Sequence, residues 1–257
     1  MSQSLKISVA VLVLMVHLPG LAESLQPNQA HMVPERVLFI GNSYLYYNDS
    51  VHNHVRRMAE EAFPQKSFQY KSATIGGASL SQHPVKQILE PGRLGVSKPF
   101  DLVIVQGGSG EVRSAHRRRV FQEKADEIVS LIREAGAIPF LYMIHAYVPP
   151  HQSYDPEMIQ QITATYTEAG HRTGAMVIPL GLAFARAYEK MPDIQLHKPF
   201  DGTHPSLLGT YLAACVVYTT IYGRSAAELE YRYYDAIEAD DAEFLRQVAD
   251  ETVAAAR

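Results

Sequence analysis

Five short apolar runs recur along this chain, and most end in a glycine or a polar turn. They cover residues 37–40, 67–74, 101–105, 138–144 and 175–180. The stretches between them carry helical periodicity. Val51, Val55, Met58, Ala59 and Ala62 share one side of a helix over 51–62, and a longer pattern runs over 115–135 before Gly136. Further helices are expected over 81–89, 156–171, 182–190 and 207–222. Another starts near Asp240-Asp241, with Phe244, Leu245, Val248 and Ala249 as its packed stripe. Strands alternating with helices over short connections predict an α/β fold, a parallel sheet covered by helices on both faces. Right-handed crossovers then bring all the strand ends to one edge of the sheet. In such sheets the crevice beyond the carboxyl ends binds ligands. Ser43, Gly76, Gln106 and His145 each follow a different strand and are expected to converge there.

The first twenty-odd residues follow another pattern. Lys6 precedes an apolar stretch over 7–16, and Gly20-Leu21-Ala22 has the small residues of a cleavage site. Residues 1–22 therefore read as an export signal, 23–34 as a polar lead-in, and 35–257 as one domain. About 235 residues remain after Ala22, and 47% of the chain is hydrophobic, enough for a core of its own. Cys215 is the single cysteine, so no intramolecular disulfide forms. The formal charge of −4 offers no electrostatic case for nucleic acid or an anionic membrane. Arg117-Arg118-Arg119 reads as the solvated face of a helix. No Gly-rich phosphate loop or Cys/His metal pattern is present, so no cofactor or metal is expected.

Two short stretches hold residue types suited to acyl transfer. In Gly41-Asn42-Ser43 a strand delivers a serine to the crevice edge. In Asp201-Gly-Thr-His204-Pro205-Ser206, Pro205 fits the first turn of the helix over 207–222, so His204 stands just before a helix start. A serine nucleophile needs a base within hydrogen-bond reach, a carboxylate to orient that base, and donors for the oxyanion. Taken singly, each stretch also suits an ordinary turn or cap. The chain lacks the G-x-S-x-G elbow around Ser43, which argues against the α/β-hydrolase arrangement.

With these blocks in this order, the chain resembles the SGNH, or GDSL-like, hydrolases over almost its whole length after residue 22. Gly41-Asn42-Ser43 resembles the first family block, with Asn42 where Asp is usual and Tyr44 where an aliphatic residue is usual. Gly76 or Gly77 resembles the oxyanion-hole glycine. Asp201-Gly-Thr-His204 resembles the last block, which supplies acid and base. The resemblance implies a flavodoxin-like three-layer α/β/α sandwich with a five-stranded parallel sheet. It implies Ser43 as nucleophile, His204 as base and Asp201 as its orienting acid. The N–H groups of Ser43 and of Gly76 or Gly77 would hold the oxyanion. The third block departs from the family's G-x-N-D. It reads Gln106-Gly107-Gly108-Ser109, closer to the Q-G-E motif of SGNH carbohydrate esterases. Gln106 is accordingly expected to donate the amide that Asn supplies elsewhere, and the substrate to be a small-molecule or glycan ester.

Asn42, Tyr44 and His145 are the remaining candidates for contact with substrate. Tyr44, Tyr46 and Tyr47 form either an aromatic platform for a sugar or packing for the first helix. Two other readings stay open: a non-catalytic carbohydrate-binding protein on the same fold, and a metal hydrolase using Asp201, His204 and His197.

Overall fold

The computed structural model describes residues 33–257; the expected export signal and residues 23–32 of the lead-in lie outside them. Five strands form one parallel sheet in the order β2-β1-β3-β4-β5. They are β1 (Arg36–Gly41), β2 (Gln69–Thr74), β3 (Leu102–Gln106), β4 (Ile138–Tyr142) and β5 (Met176–Ile178). This is the doubly wound order whose switch point lies between β1 and β3.

β1 lies inside the sheet, between β2 and β3. Val37, Leu38, Phe39 and Ile40 are all fully buried. Side chains alternate across a strand, so Val37 and Phe39 enter one core and Leu38 and Ile40 the other. The first core is closed by α2 (Val51–Ala62), α6 (Leu180–Lys190), α7 (Leu207–Tyr222) and α8 (Ala239–Ala255). The second is closed by α3 (Val85–Ile88), α4 (Ala115–Glu134) and α5 (Met158–Thr173). The architecture is the three-layer sandwich that the alternation predicts. α7 shows why its sequence has no polar face: Tyr211 to Tyr218 lie between the sheet, α2 and α8, almost wholly out of water.

The carboxylate of Asp101 secures the other end of β1. It accepts the Glu35 and Arg36 N–H groups at 2.9 and 2.8 Å and pairs with the Arg36 guanidinium. Element boundaries differ from expectation where turn chemistry intervenes. β4 stops at Tyr142 and β5 at Ile178, because α6 starts as early as Leu180. The helix expected over 81–89 is a 3₁₀ turn, Leu80–Gln82, followed by the short α3. Pro84 cannot donate a backbone hydrogen bond and divides the two. Among the α-helices one was not expected: α1 (Ser43–Tyr46), a single turn whose N-cap is Asn42.

Candidate active site

Ser43 stands at the first position of α1, directly beyond β1. Asn42 sets this turn. Its Oδ1 accepts the Tyr44 N–H at 3.1 Å, and its Nδ2 donates to the Ala78 carbonyl at 2.9 Å. The amide is thus engaged at both ends, tying the serine turn to the loop after β2. Asn42 borders the site as a tie, not as a free group for substrate.

His204, 161 positions downstream, meets Ser43 directly. His204 Nε2 lies 2.9 Å from Ser43 Oγ, and His204 Nδ1 lies 2.7 Å from Asp201 Oδ2. With the Nδ1 proton directed to the carboxylate, Nε2 is the acceptor facing the serine hydroxyl. The other Asp201 oxygen accepts the Thr203 and His204 N–H groups at 2.9 and 3.0 Å. Partial burial pushes the Asp201 carboxyl up, but these backbone bonds and the His204 ring outweigh it. The net pKa lies below the ordinary carboxylate value. Gly202 has a φ of +63°, and a Cβ there would collide with the Val148 carbonyl, so the turn between Asp201 and His204 needs glycine. Tyr47 stacks on the His204 ring at 4.5 Å. Asn48 Nδ2 donates to the Pro205 and Ser206 carbonyls at 2.9 Å, linking the serine segment to the histidine segment.

A cavity of about 570 Å³ opens beside Ser43 and His204. Gly77, Ser79, Ser109, Glu111, Arg117, Tyr147 and His151 are among its walls, and Tyr44 and Thr203 close it near the serine. Of the two candidate oxyanion glycines, Gly77 lines this cavity and Gly76 does not. Gly77 has a φ of +71°. Its N–H and that of Ser43 have no intramolecular partner among the described residues.

Two expectations are corrected here, and the rival metal reading loses its third ligand. Gln106 does not reach the cavity. It is fully buried, its Oε1 accepts the Asn42 N–H at 2.9 Å, and its Nε2 donates to the Gly107 carbonyl. The methylene that lengthens Gln over Asn lets it lie across Gly41, where a Cβ would sit 2.5 Å from Gln106 Oε1. His145 is buried beneath the site, not in its wall. It is stacked between Tyr44 and Phe184 at 4.3 and 4.5 Å, and its Nε2–H donates to the Thr203 carbonyl at 2.8 Å. Burial pushes its pKa far below the ordinary histidine value. His197 does not join Asp201 and His204 as a metal ligand. Its Nε2–H donates to the Ala146 carbonyl at 3.1 Å, and its Nδ1 accepts from the Tyr188 hydroxyl at 2.7 Å. Both nitrogens are therefore committed elsewhere. Tyr44 divides its roles: its ring packs on His145, while its hydroxyl meets Thr203 Oγ1 at 2.5 Å on the cavity wall.

Several wall residues were not anticipated. Glu111 is the clearest. Its carboxylate accepts the Gly108 N–H and, at 3.3 and 3.4 Å, the Leu80 N–H, joining the turn after β3 to the loop after β2. Burial pushes its pKa up to about 6 against the pull of those bonds. Its one signal in the sequence is an acid four residues beyond Gly107, which only the fold turns inward.

No family model matches the sequence, and no curated protein matches it. Solved structures do. A DUF4886 family protein from Bacteroides uniformis superposes with a TM-score of 0.66 at 20% identity, covering 85% of this chain and 94% of that one. A candidate SGNH hydrolase from Slackia heliotrinireducens gives 0.60 at 21%, covering 74% and 100%. A variant of Axe2, an acetyl-xylooligosaccharide esterase from Geobacillus, gives 0.58 at 15%, covering 73% and 94%. The fold is that of the SGNH hydrolases. In this SGNH fold the edge beyond the strand ends carries Ser43, His204 and the cavity together. Among the described residues no helix is long and apolar enough to cross a membrane.

Proposed function

We propose that the protein is an exported serine esterase that hydrolyses carboxylic esters. The observation that carries this reading is the continuous hydrogen-bonded line from Ser43 Oγ through the His204 ring to Asp201. In this reading Ser43 Oγ attacks the ester carbonyl as His204 Nε2 takes its proton. Asp201 holds the ring in the Nδ1–H tautomer and supports the imidazolium that forms. The N–H groups of Ser43 and Gly77 receive the oxyanion. His204 then returns the proton to the departing alkoxide, and water repeats the sequence on the acyl-enzyme. The Ser109 hydroxyl is the third donor in place of Gln106. It lies on the cavity wall, and its oxygen accepts from the Tyr147 O–H at 2.8 Å, which leaves its own hydrogen to donate.

Acetyl-xylooligosaccharide and acetyl xylan esterases share the fold at 15% and 14% identity, which favours O-acyl groups on glycans. Export rests on the character of residues 1–22 and is checked by sequencing the amino terminus of the secreted protein. The test of the activity is hydrolysis of 4-nitrophenyl acetate and acetylated oligosaccharides by the parent and by Ser43→Ala. The parent is expected to turn over at least one ester, and Ser43→Ala to lose on the order of 10³-fold or more in kcat. Equal rates in the two proteins would remove Ser43 from the mechanism.

A further inference from the structure

The three consecutive arginines read from sequence as one solvated face do three different things. Arg119 approaches Glu123 at 3.8 Å. Arg118 donates to the Val112 carbonyl at 2.7 Å. Arg117 turns back over the 109–112 turn, where its Nη1 donates to the Gly110 carbonyl at 3.2 Å. A Cβ at Gly110 would stand 3.1 Å from that nitrogen, so the guanidinium lies close over the turn. The guanidinium is thereby held on the wall of the cavity that opens beside Ser43.

No carboxylate pairs with Arg117 among the described residues. Glu111, the one carboxylate on the same wall, spends its oxygens on the Gly108 and Leu80 N–H groups. The histidines nearby bring no negative charge. His151 stacks on Tyr147 at 3.7 Å and its Nδ1 accepts the Ser153 N–H, while His116 Nδ1 accepts from Arg119. A cavity of about 570 Å³ is also far larger than an acetyl group needs, and falls in the range that encloses a whole small ligand. It has room for much more than the reacting acetyl group.

We propose that Arg117 selects esters bearing a carboxylate, which it binds at the far wall of the cavity while the ester carbonyl lies at Ser43. A planar guanidinium with free N–H groups matches a carboxylate in two-point geometry, and the backbone contact through Nη1 leaves its other nitrogens available. This rests on the esterase reading, and it extends it to the acid-bearing part of the substrate. The carboxylate belongs to the alcohol or to the acyl group, and matched substrates separate the two.

The experiment compares kcat/KM for 4-acetoxybenzoate with its methyl ester, and for 4-nitrophenyl hydrogen glutarate with 4-nitrophenyl methyl glutarate. The parent is expected to favour the charged member of one pair by about tenfold, the scale of a charge-assisted hydrogen bond. Arg117→Gln is expected to abolish that preference; Arg117→Lys is expected to keep part of it. The preference should weaken as salt is added, because the guanidinium is exposed. Calorimetric titration into Ser43→Ala needs no turnover, and it compares 4-hydroxybenzoate with its methyl ester and monomethyl glutarate with dimethyl glutarate. The acid of the pair preferred in kinetics is expected to bind about tenfold tighter, and Arg117→Gln to erase the difference. No preference for the acid in either kinetics or binding, or a preference that survives Arg117→Gln, overturns the proposal. Hydrolysis failing while the binding preference stands would count against the esterase reading alone.

Discussion

Asp201 does two jobs with two oxygens. Oδ2 meets the imidazole, while Oδ1 holds the Thr203 and His204 N–H groups that shape the loop. Asp201→Asn keeps the shape and removes the charge, so kcat is expected to fall on the order of 10³ to 10⁴ with KM little changed. A loss of only a few-fold in steady-state kinetics would show that the charge is dispensable. Gln106 differs in kind. Its oxygen holds the Asn42 N–H that precedes the serine, so Gln106→Ala would leave that N–H buried without a partner and open a void over Gly41. The expected cost is about 1 to 3 kcal/mol, visible as a lower melting temperature. A direct oxyanion donor would instead lower kcat with the melting temperature unchanged. Residue type alone could not separate these roles. The strand placed Gln106 at the right edge, but only the tight approach of β1 and β3 shows that its amide turns inward. The pairing of Ser43 with His204 and Asp201 was legible because both blocks lie at element ends, where direction is predictable. Glu111 and Ser109 were not, since they belong to a turn whose path follows no periodicity; Arg117 sits in the first turn of α4, and its helical position gives no sign that the side chain turns back over that turn.

Among the elements, β1 and the loop carrying Asp201 and His204 determine whether the site exists. β1 was legible because a strand buried on both faces has no polar positions, and Val37 to Ile40 has none. Phe39→Ala would remove a fully buried ring from the core between the sheet and α7. The expected cost is about 3 to 5 kcal/mol in denaturant unfolding. The histidine loop was legible as a turn but not in its support. Its scaffold is assembled from afar: the Gly202 carbonyl accepts the Val148 N–H at 2.9 Å, His145 donates to Thr203, and Asn48 holds Pro205 and Ser206. Gly202→Ala strains φ and drives a methyl into Val148. Activity is therefore expected to collapse while far-ultraviolet circular dichroism keeps the parent's helix content. Parent-level activity in this variant would mean that the loop tolerates a different path.

At the scale of the whole molecule, burial of histidine ties stability to pH. Desolvation holds His197 down at about 4, because its ring is packed neutral between Tyr188 and the Ala146 carbonyl. The unfolded chain therefore takes up a proton between pH 6.5 and 4 that the folded chain refuses, and stability falls as pH falls through that window. Glu111 acts with the opposite sign over a narrower range, since its folded pKa of about 6 exceeds the unfolded value. The His197 contribution is the larger, about 3 kcal/mol against about 2, so acid is expected to destabilise the protein on balance. Denaturant melts at pH 4.5 and 7 should show a smaller difference in His197→Gln than in the parent; an unchanged difference would place the titration elsewhere. The same packing brings together residues that lie far apart in sequence, and in the esterase reading it concentrates reactivity on one serine. That concentration is best read with a fluorophosphonate probe and peptide mass mapping of the native protein. The expected result is stoichiometric labelling of Ser43 alone, abolished in Ser43→Ala and by prior denaturation. Labelling spread over other serines, or none under conditions that label a known serine esterase, would contradict the assignment of Ser43 as an activated nucleophile.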